Sequence, residues 1–140
     1  MFNKALVLDA NILVRAVLGV KALSLINNHY QMTRFCTPAV CLNDASKYLP
    51  VLLKKRGASV ESGLKILKRL EDVVEVVDIS IYELFEENAK TRIFSRDLDD
   101  WPIVATALAL NCPIWTEDKD FFGVGIPTWT TDRVHIYLGT

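Results

Sequence analysis

Apolar residues along this chain alternate between two spacings, and the switches mark its elements. Lys4 to Leu8 (KALVL) is a continuous apolar run ending at an acid, the pattern of a buried parallel strand. From Asn11 to Leu18 the spacing becomes helical, with Gly19 as a stop, and Ala22 to His29 resumes as a second short helix. Phe35-Cys36-Thr37 predicts a second strand. Pro38 suits the first turn of the next helix, with Thr37 as its cap, and that helix carries Val40, Cys41, Ala45, Tyr48 and Leu52. Pro50 has no N–H to donate and is expected to kink or split it, and Gly57 ends the run. Ser59-Val60-Glu61-Ser62 opens a further helix, Ser62 to Leu70, with Lys65, Lys68 and Arg69 exposed. Val73 to Val77 predicts a third strand, and Ile81 to Ile93 an amphipathic helix. An apolar helix, Ile103 to Leu110, follows the acids Asp97, Asp99 and Asp100 and breaks at Asn111-Cys112-Pro113. It leads into a short strand, Ile114-Trp115. The tail is expected to hold one or two more strands, at Thr128-Trp129 and Val134 to Leu138.

Strands alternating with helices place the chain in the α/β class, with a mostly parallel central sheet of about five strands and helices on both faces. At 140 residues, 51% of them hydrophobic, the chain is expected to be a single domain over residues 1–140 with a large core. A formal net charge of -1 excludes a strongly basic footprint as the argument for nucleic-acid binding. It does not exclude nucleic acid, because an acidic metal site masks basic patches in such a sum. The first apolar run is short and interrupted by Asp9 and Asn11, so no signal peptide is expected. No apolar run approaches the ~18 residues of a membrane span. The three cysteines, Cys36, Cys41 and Cys112, sit in apolar contexts without C-x-x-C spacing and are expected to be reduced core residues of a cytoplasmic protein.

The chemistry lies in the acids. Asp9 ends the first strand, where a buried run meets solvent; the bland alternative is that it caps the helix from Asn11 onward, a task Asn11 could share. Asp44 falls at the margin of its helix's apolar face, beside Val40, Tyr48 and Val51, and an unpaired carboxylate there is costly. The bland alternative is a partly buried acid paired with an Arg or Lys. Asp100 opens the Ile103–Leu110 helix, with Asp97 and Asp99 as competing registers; Asp118 and Asp120 follow the Ile114-Trp115 strand. The carboxyl ends of strands are where an open α/β sheet binds ligands. If Asp9, Asp44, Asp100 and Asp118 converge there, each pair ~5 Å apart repels by roughly 3 kcal/mol at an effective dielectric of 20. Such a cluster takes up protons or a cation. An all-oxygen donor set without nearby His or Cys favours Mg²⁺ or Mn²⁺ over zinc.

Four of these pieces in order carry a resemblance. Asp9-x-Asn11 follows an apolar strand, Pro38 is followed six residues later by Asp44, Asp100 opens an apolar helix, and Thr116-x-Asp118-x-Asp120-Phe121 follows a strand. Over nearly its whole length the chain resembles PIN-domain proteins, and among them the VapC-type toxin ribonucleases of toxin–antitoxin systems. The resemblance implies a parallel sheet flanked by helices and a Mg²⁺/Mn²⁺ site of Asp9, Asp44, Asp100 and Asp118. Asn11 and Thr116 would orient those acids and Asp120 would assist. It also implies an RNA substrate, an antitoxin partner near the acidic cleft, and a homodimer, for which the helices between Ser59 and Ile93 offer apolar surface. The chain departs from the family pattern at Asp44, where Glu is usual and the side chain is one methylene longer.

Other classes make different demands. A haloacid-dehalogenase-type phosphatase needs a second Asp two residues after the first, where this chain has Asn11. A response-regulator receiver needs a phosphoacceptor after a middle strand, and Asp78 there has no partner acids nearby. A PIN-like domain that binds RNA or protein without cleaving is the non-enzymatic alternative, and Asp44 is its best support.

Overall fold

The structure, a computed structural model, describes Phe2 and residues 4–139. Five parallel strands form one sheet in the order β3-β2-β1-β4-β5, from β1 (Lys4–Leu8), β2 (Thr33–Pro38), β3 (Val74–Val77), β4 (Ile114–Trp115) and β5 (Thr128–Trp129). The order reverses direction at β1, whose neighbours are β2 and β4. A doubly wound sheet opens its ligand crevice at that reversal. A receiver's order, with its first strand between the second and third, is therefore not this one.

Side chains alternate across β1. Leu6 and Leu8 enter a core with α1 (Ala10–Leu18), α2 (Lys21–His29), α3 (Ala39–Lys55) and α4 (Val60–Leu70). Val7 points the other way, into a second core with Tyr82 of α5 (Ile79–Tyr82), Ala89 and Ile93 of α6 (Glu86–Ile93) and the buried run of α7 (Trp101–Leu110). Both faces of the sheet are thus covered, and the first strand reads as apolar throughout because neither face meets water. No single helix among the described residues is long and apolar enough to cross a membrane.

Several local expectations change. Val134–Leu138 is a helix, α8, not a strand. Val134 and Leu138, four residues apart, are buried while Ile136 is exposed, so the residues that looked alternate are one helical turn apart. Gly139 closes that helix at φ 84, a left-handed conformation that glycine adopts without a Cβ clash. The expected Ile81–Ile93 helix is divided by a 3₁₀ turn at Glu83–Phe85. Tyr82 ahead of the turn packs edge-on against Trp101 at 5.6 Å, and Ala89 and Ile93 after it enter the same core.

Pro50 neither splits nor ends α3, which runs 17 residues. The carbonyl it leaves unpaired belongs to exposed Ser46, where water can serve it, while Leu49 and Leu53 anchor the helix to the core. Pro38 is the last residue of β2 and the N-cap of α3, without a side-chain cap. Thr37 does not cap the helix; its hydroxyl donates to Leu8 O at 2.8 Å and ties β2 to the end of β1. Cys36, Cys41 and Cys112 are buried free thiols.

Candidate active site

At the carboxyl edge of β1, Asp9 is 7% exposed and accepts hydrogen bonds from three directions. Oδ1 takes the Ala10 N–H at 2.6 Å, which also caps α1. Oδ2 takes the Asn11 side-chain amide at 2.7 Å and the Thr116 hydroxyl at 2.7 Å. Thr116 is fully buried, one residue past β4, and its hydroxyl in turn accepts the Asp118 N–H at 3.0 Å. Asn11 reaches the same loop, its carbonyl accepting the Glu117 N–H at 3.3 Å. Asn11 and Thr116 therefore fix Asp9 and the start of the Asp118 loop relative to each other across the β1–β4 seam. Asn11 donates to Asp9 and cannot act as the second acid that the phosphatase layout needs.

Asp44 projects from α3 into the same place. With Asp9, Asp99, Asp100, Val40, Cys41, Pro102 and Ile103 it lines a cavity of about 40 Å³. It is half-buried, and among the described residues no ion pair reaches it. The helix margin does place it toward the other acids.

Asp100, the N-cap of α7, is also half-buried, and its Oδ2 is buried with no hydrogen-bond partner. Carboxylate oxygens of Asp100, Asp118 and Asp120 lie within 4.8 Å of one another. Asp97 instead spends its carboxylate on the Asp99 N–H, and both of those residues are exposed. Asp118 likewise accepts the Asp120 N–H at 2.9 Å, which folds the loop into a 3₁₀ turn and brings Asp120 alongside.

The electrostatics follow from this crowding. Burial is the main cause that raises the Asp9 carboxyl above its ordinary value of 3.8; the Thr116 and Ala10 hydrogen bonds oppose it, and the charges of Asp118 and Asp44 add to it. Asp100 is pushed up to about 7, first by burial and then by the charges of Asp9, Asp97, Asp118 and Asp120. An orphaned buried carboxylate oxygen, two further carboxylates within reach of one ion and an all-oxygen donor set make a site that fits a hard divalent cation.

One contributor, Arg96, escaped the sequence reading, and another, Asp99, entered it only as an alternative register for Asp100. Asp99 lines the small cavity although its carboxyl lies outside the three-acid group. Arg96, in the turn after α6, donates through Nη1 to Asp120 O at 2.8 Å and to Phe122 O. Gly123, at φ +91, lets the chain pass under that guanidinium, for a Cβ there would sit 3.1 Å from Arg96 Nη2. The charge of Arg96 beside three acids was the available signal, but its bonds go to backbone carbonyls, which no side-chain pattern reveals. Arg96→Ala removes two hydrogen bonds worth about 1 kcal/mol each and should speed amide exchange in the Asp120–Gly123 segment by roughly 10- to 30-fold. Unchanged exchange by mass spectrometry would show that the loop holds itself.

A parallel five-stranded sheet thus gathers carboxylates at its reversal point, where open α/β sheets bind their ligands. The sequence matches the PIN domain family over residues 7–139, and the chain belongs to that family. Solved structures share its fold, among them the following two. The complex VapBC2 from Rickettsia felis, bound to a DNA fragment from its promoter, contains a chain 13% identical, with a TM-score of 0.70 over 90% of this chain and 98% of that one. PAE2754 from Pyrobaculum aerophilum is 12% identical, with a TM-score of 0.72 over 96% of this chain and 88% of that one. No curated protein matches the sequence.

Proposed function

We propose that this protein is a divalent-metal-dependent endoribonuclease, acting as the toxin of a toxin–antitoxin pair. The observation that carries the proposal is the unpartnered Asp100 Oδ2 within reach of Asp118 and Asp120, in a chain of the PIN family. Asp9, Asp44, Asp100 and Asp118 would hold Mg²⁺ or Mn²⁺, with Asp120 beside them. A bound cation supplies an activated water and neutralises charge on the leaving oxygen of a phosphodiester. The protein's own part is positional. Asn11 and Thr116 fix the Asp9 carboxyl through Oδ2, and the Asp118–Asp120 turn brings its two acids beside Asp100. Single-stranded or looped RNA is the fitting substrate, since its exposed backbone can approach a recessed site. The R. felis neighbour occurs in a VapBC complex, which supports an antitoxin as partner. A homodimer, a cytoplasmic location and a single functional domain complete the proposal.

The test is RNA cleavage with Mg²⁺ or Mn²⁺ and again in excess EDTA. Cleavage only with the metal is expected; equal cleavage in EDTA refutes metal catalysis. A PIN fold that binds without cleaving is the second reading, favoured by Asp44 where the family usually has Glu. Asp44→Glu bears on it directly. The longer side chain extends ~1.3 Å, about one C–C bond, into a cavity of about 40 Å³. We expect lower cleavage at unchanged thermal stability, because Val40, Cys41 and Ile103 already set the depth for the shorter acid. A gain in turnover across a Mg²⁺ titration would instead identify Asp44 as an underreaching ligand.

A further inference from the structure

A polyanionic substrate has no electrostatic reason to approach a cluster of carboxylates, and a net charge of -1 offers no general attraction. The cations that hold such a strand must be local. One cleft carries Lys4 and Arg34, but Lys4 donates to Tyr137 O and Arg34 pairs with Glu75. The cleft with three cations, of about 400 Å³, lies where the end of α1 meets the start of α2. Arg15, Lys21 and Arg56 line it, together with Thr131, Val20 and Leu18.

The charges around the cleft do not cancel. Arg15 lies 3.9 Å from Glu117, a long and solvent-exposed pairing. Glu117 is also engaged with the Thr131 N–H at 2.6 Å. Asp132, which feels Lys21 and Arg133, accepts from the Thr130 hydroxyl. The Lys21 side chain has no ion pair among the described residues, and Arg56 spends one N–H on Leu18 O at 3.5 Å. Guanidinium forks of this kind suit phosphate oxygens, because several N–H donors remain in one plane.

The cleft is also joined to the acids. Arg15 touches Glu117, whose own N–H is held by Asn11 and whose chain neighbour is Asp118. Helix α1 spans Ala10–Leu18, so its ends lie about 12 Å apart at the usual helical rise, a few nucleotides along a strand.

We propose that Arg15, Lys21 and Arg56 bind the phosphodiester backbone of single-stranded RNA a few nucleotides from the acid site. The inference rests on the ribonuclease reading above. The occupant is a nucleic-acid backbone and not an acidic peptide, because two of the three cations are planar guanidinium forks that match phosphate oxygens, and the Arg15–Glu117 contact sets the cleft beside the acids that the ribonuclease reading assigns to RNA.

The experiment measures binding of a labelled unstructured RNA in EDTA by fluorescence anisotropy, and cleavage of the same RNA in Mg²⁺ separately. The Lys21→Gln/Arg56→Gln pair should weaken binding about 25-fold near 0.1 M salt and hardly at all near 1 M, since each lost contact removes about 0.7 from the salt slope of a single strand. Lys65→Gln/Lys68→Gln on α4 removes the same charge elsewhere and should leave binding nearly unchanged. Arg56→Lys, which keeps the charge, should retain most of the affinity, and melting curves confirm that each variant is folded. Equal losses from the two double variants, no loss from the first, or tighter binding of an acidic peptide than of RNA overturns the cleft. Wild-type protein that fails to cleave in Mg²⁺ overturns the ribonuclease reading, and that result is read independently of the binding curves.

Discussion

Asp9→Asn is expected to reduce metal-dependent RNA cleavage by roughly 10²- to 10³-fold at subsaturating Mg²⁺ while the protein stays folded. A divalent ion ~5 Å from a carboxylate is attracted by about 7 kcal/mol at an effective dielectric of ~20, and realising half of that gives this factor. The substitution is gentle on the fold. Asn caps a helix as well as Asp does, so the Ala10 N–H keeps its acceptor. An amide at Oδ2 would meet two donors, Asn11 and Thr116, at a cost of about 1 kcal/mol. Relief from the charges of Asp118 and Asp44 offsets that loss. The measurement is cleavage across a Mg²⁺ titration beside a thermal melt. Full activity in the variant would remove Asp9 from the site.

The second large effect belongs to Asp100. Its carboxyl rises from 3.8 to about 7 on folding, so the native protein holds a proton that the unfolded chain has released. Without metal, stability should therefore fall as pH climbs from about 4 to about 7 and level off above, because the native state binds more protons in that window. The full shift corresponds to about 4 kcal/mol, and half-exposure reduces it to about 2. Asp9, raised as well, slopes the same way. A cation must displace the proton, so Mg²⁺ should stabilise more strongly at pH 8 than at pH 5. Asp100→Asn should flatten the pH profile, stabilise the metal-free protein near neutral pH by about 2 kcal/mol, and lose cleavage. Melts in EDTA across pH, with and without the substitution, decide it; an unchanged slope in the variant would show that the charge conflict lies elsewhere.

The fold was legible where burial is uniform and obscure where it is not. KALVL was readable as a strand because a short apolar run that stops at an acid fits burial on both faces, and Ile103–Leu110 as a buried helix because it is longer and almost wholly apolar. Val134–Leu138 failed because five residues are too few to separate a period of two from one of 3.6. Gly139, in the left-handed capping position, was the residue that could have settled it. Pro50 misled because a proline rule speaks of the lost hydrogen bond and not of the packing of Leu49 and Leu53 that outweighs it. The carboxylates were readable as strand-end and helix-start acids. What sequence could not supply was how they are tied together, because the Thr116–Asp9 contact joins residues 107 positions apart and Arg96 works through main-chain oxygens.

That long tie has a consequence for the order in which the molecule comes into being. One side of β1 stays bare until β4 arrives: the Val7 N–H waits for Pro113 O and the Asp9 N–H for Trp115 O. β4 itself gains its outer partner only with β5, through Pro127 O and Trp129 O. During synthesis Asp9 and Asp44 leave the ribosome early, yet they have no Thr116 to orient them and no Asp118 to face. A chain interrupted anywhere before Thr116 can bury much of its first core and still lack Asp118 and Asp120, two of the three carboxylates within reach of one ion. The candidate site is thus among the last features to be completed, and unfinished copies lack its final wall.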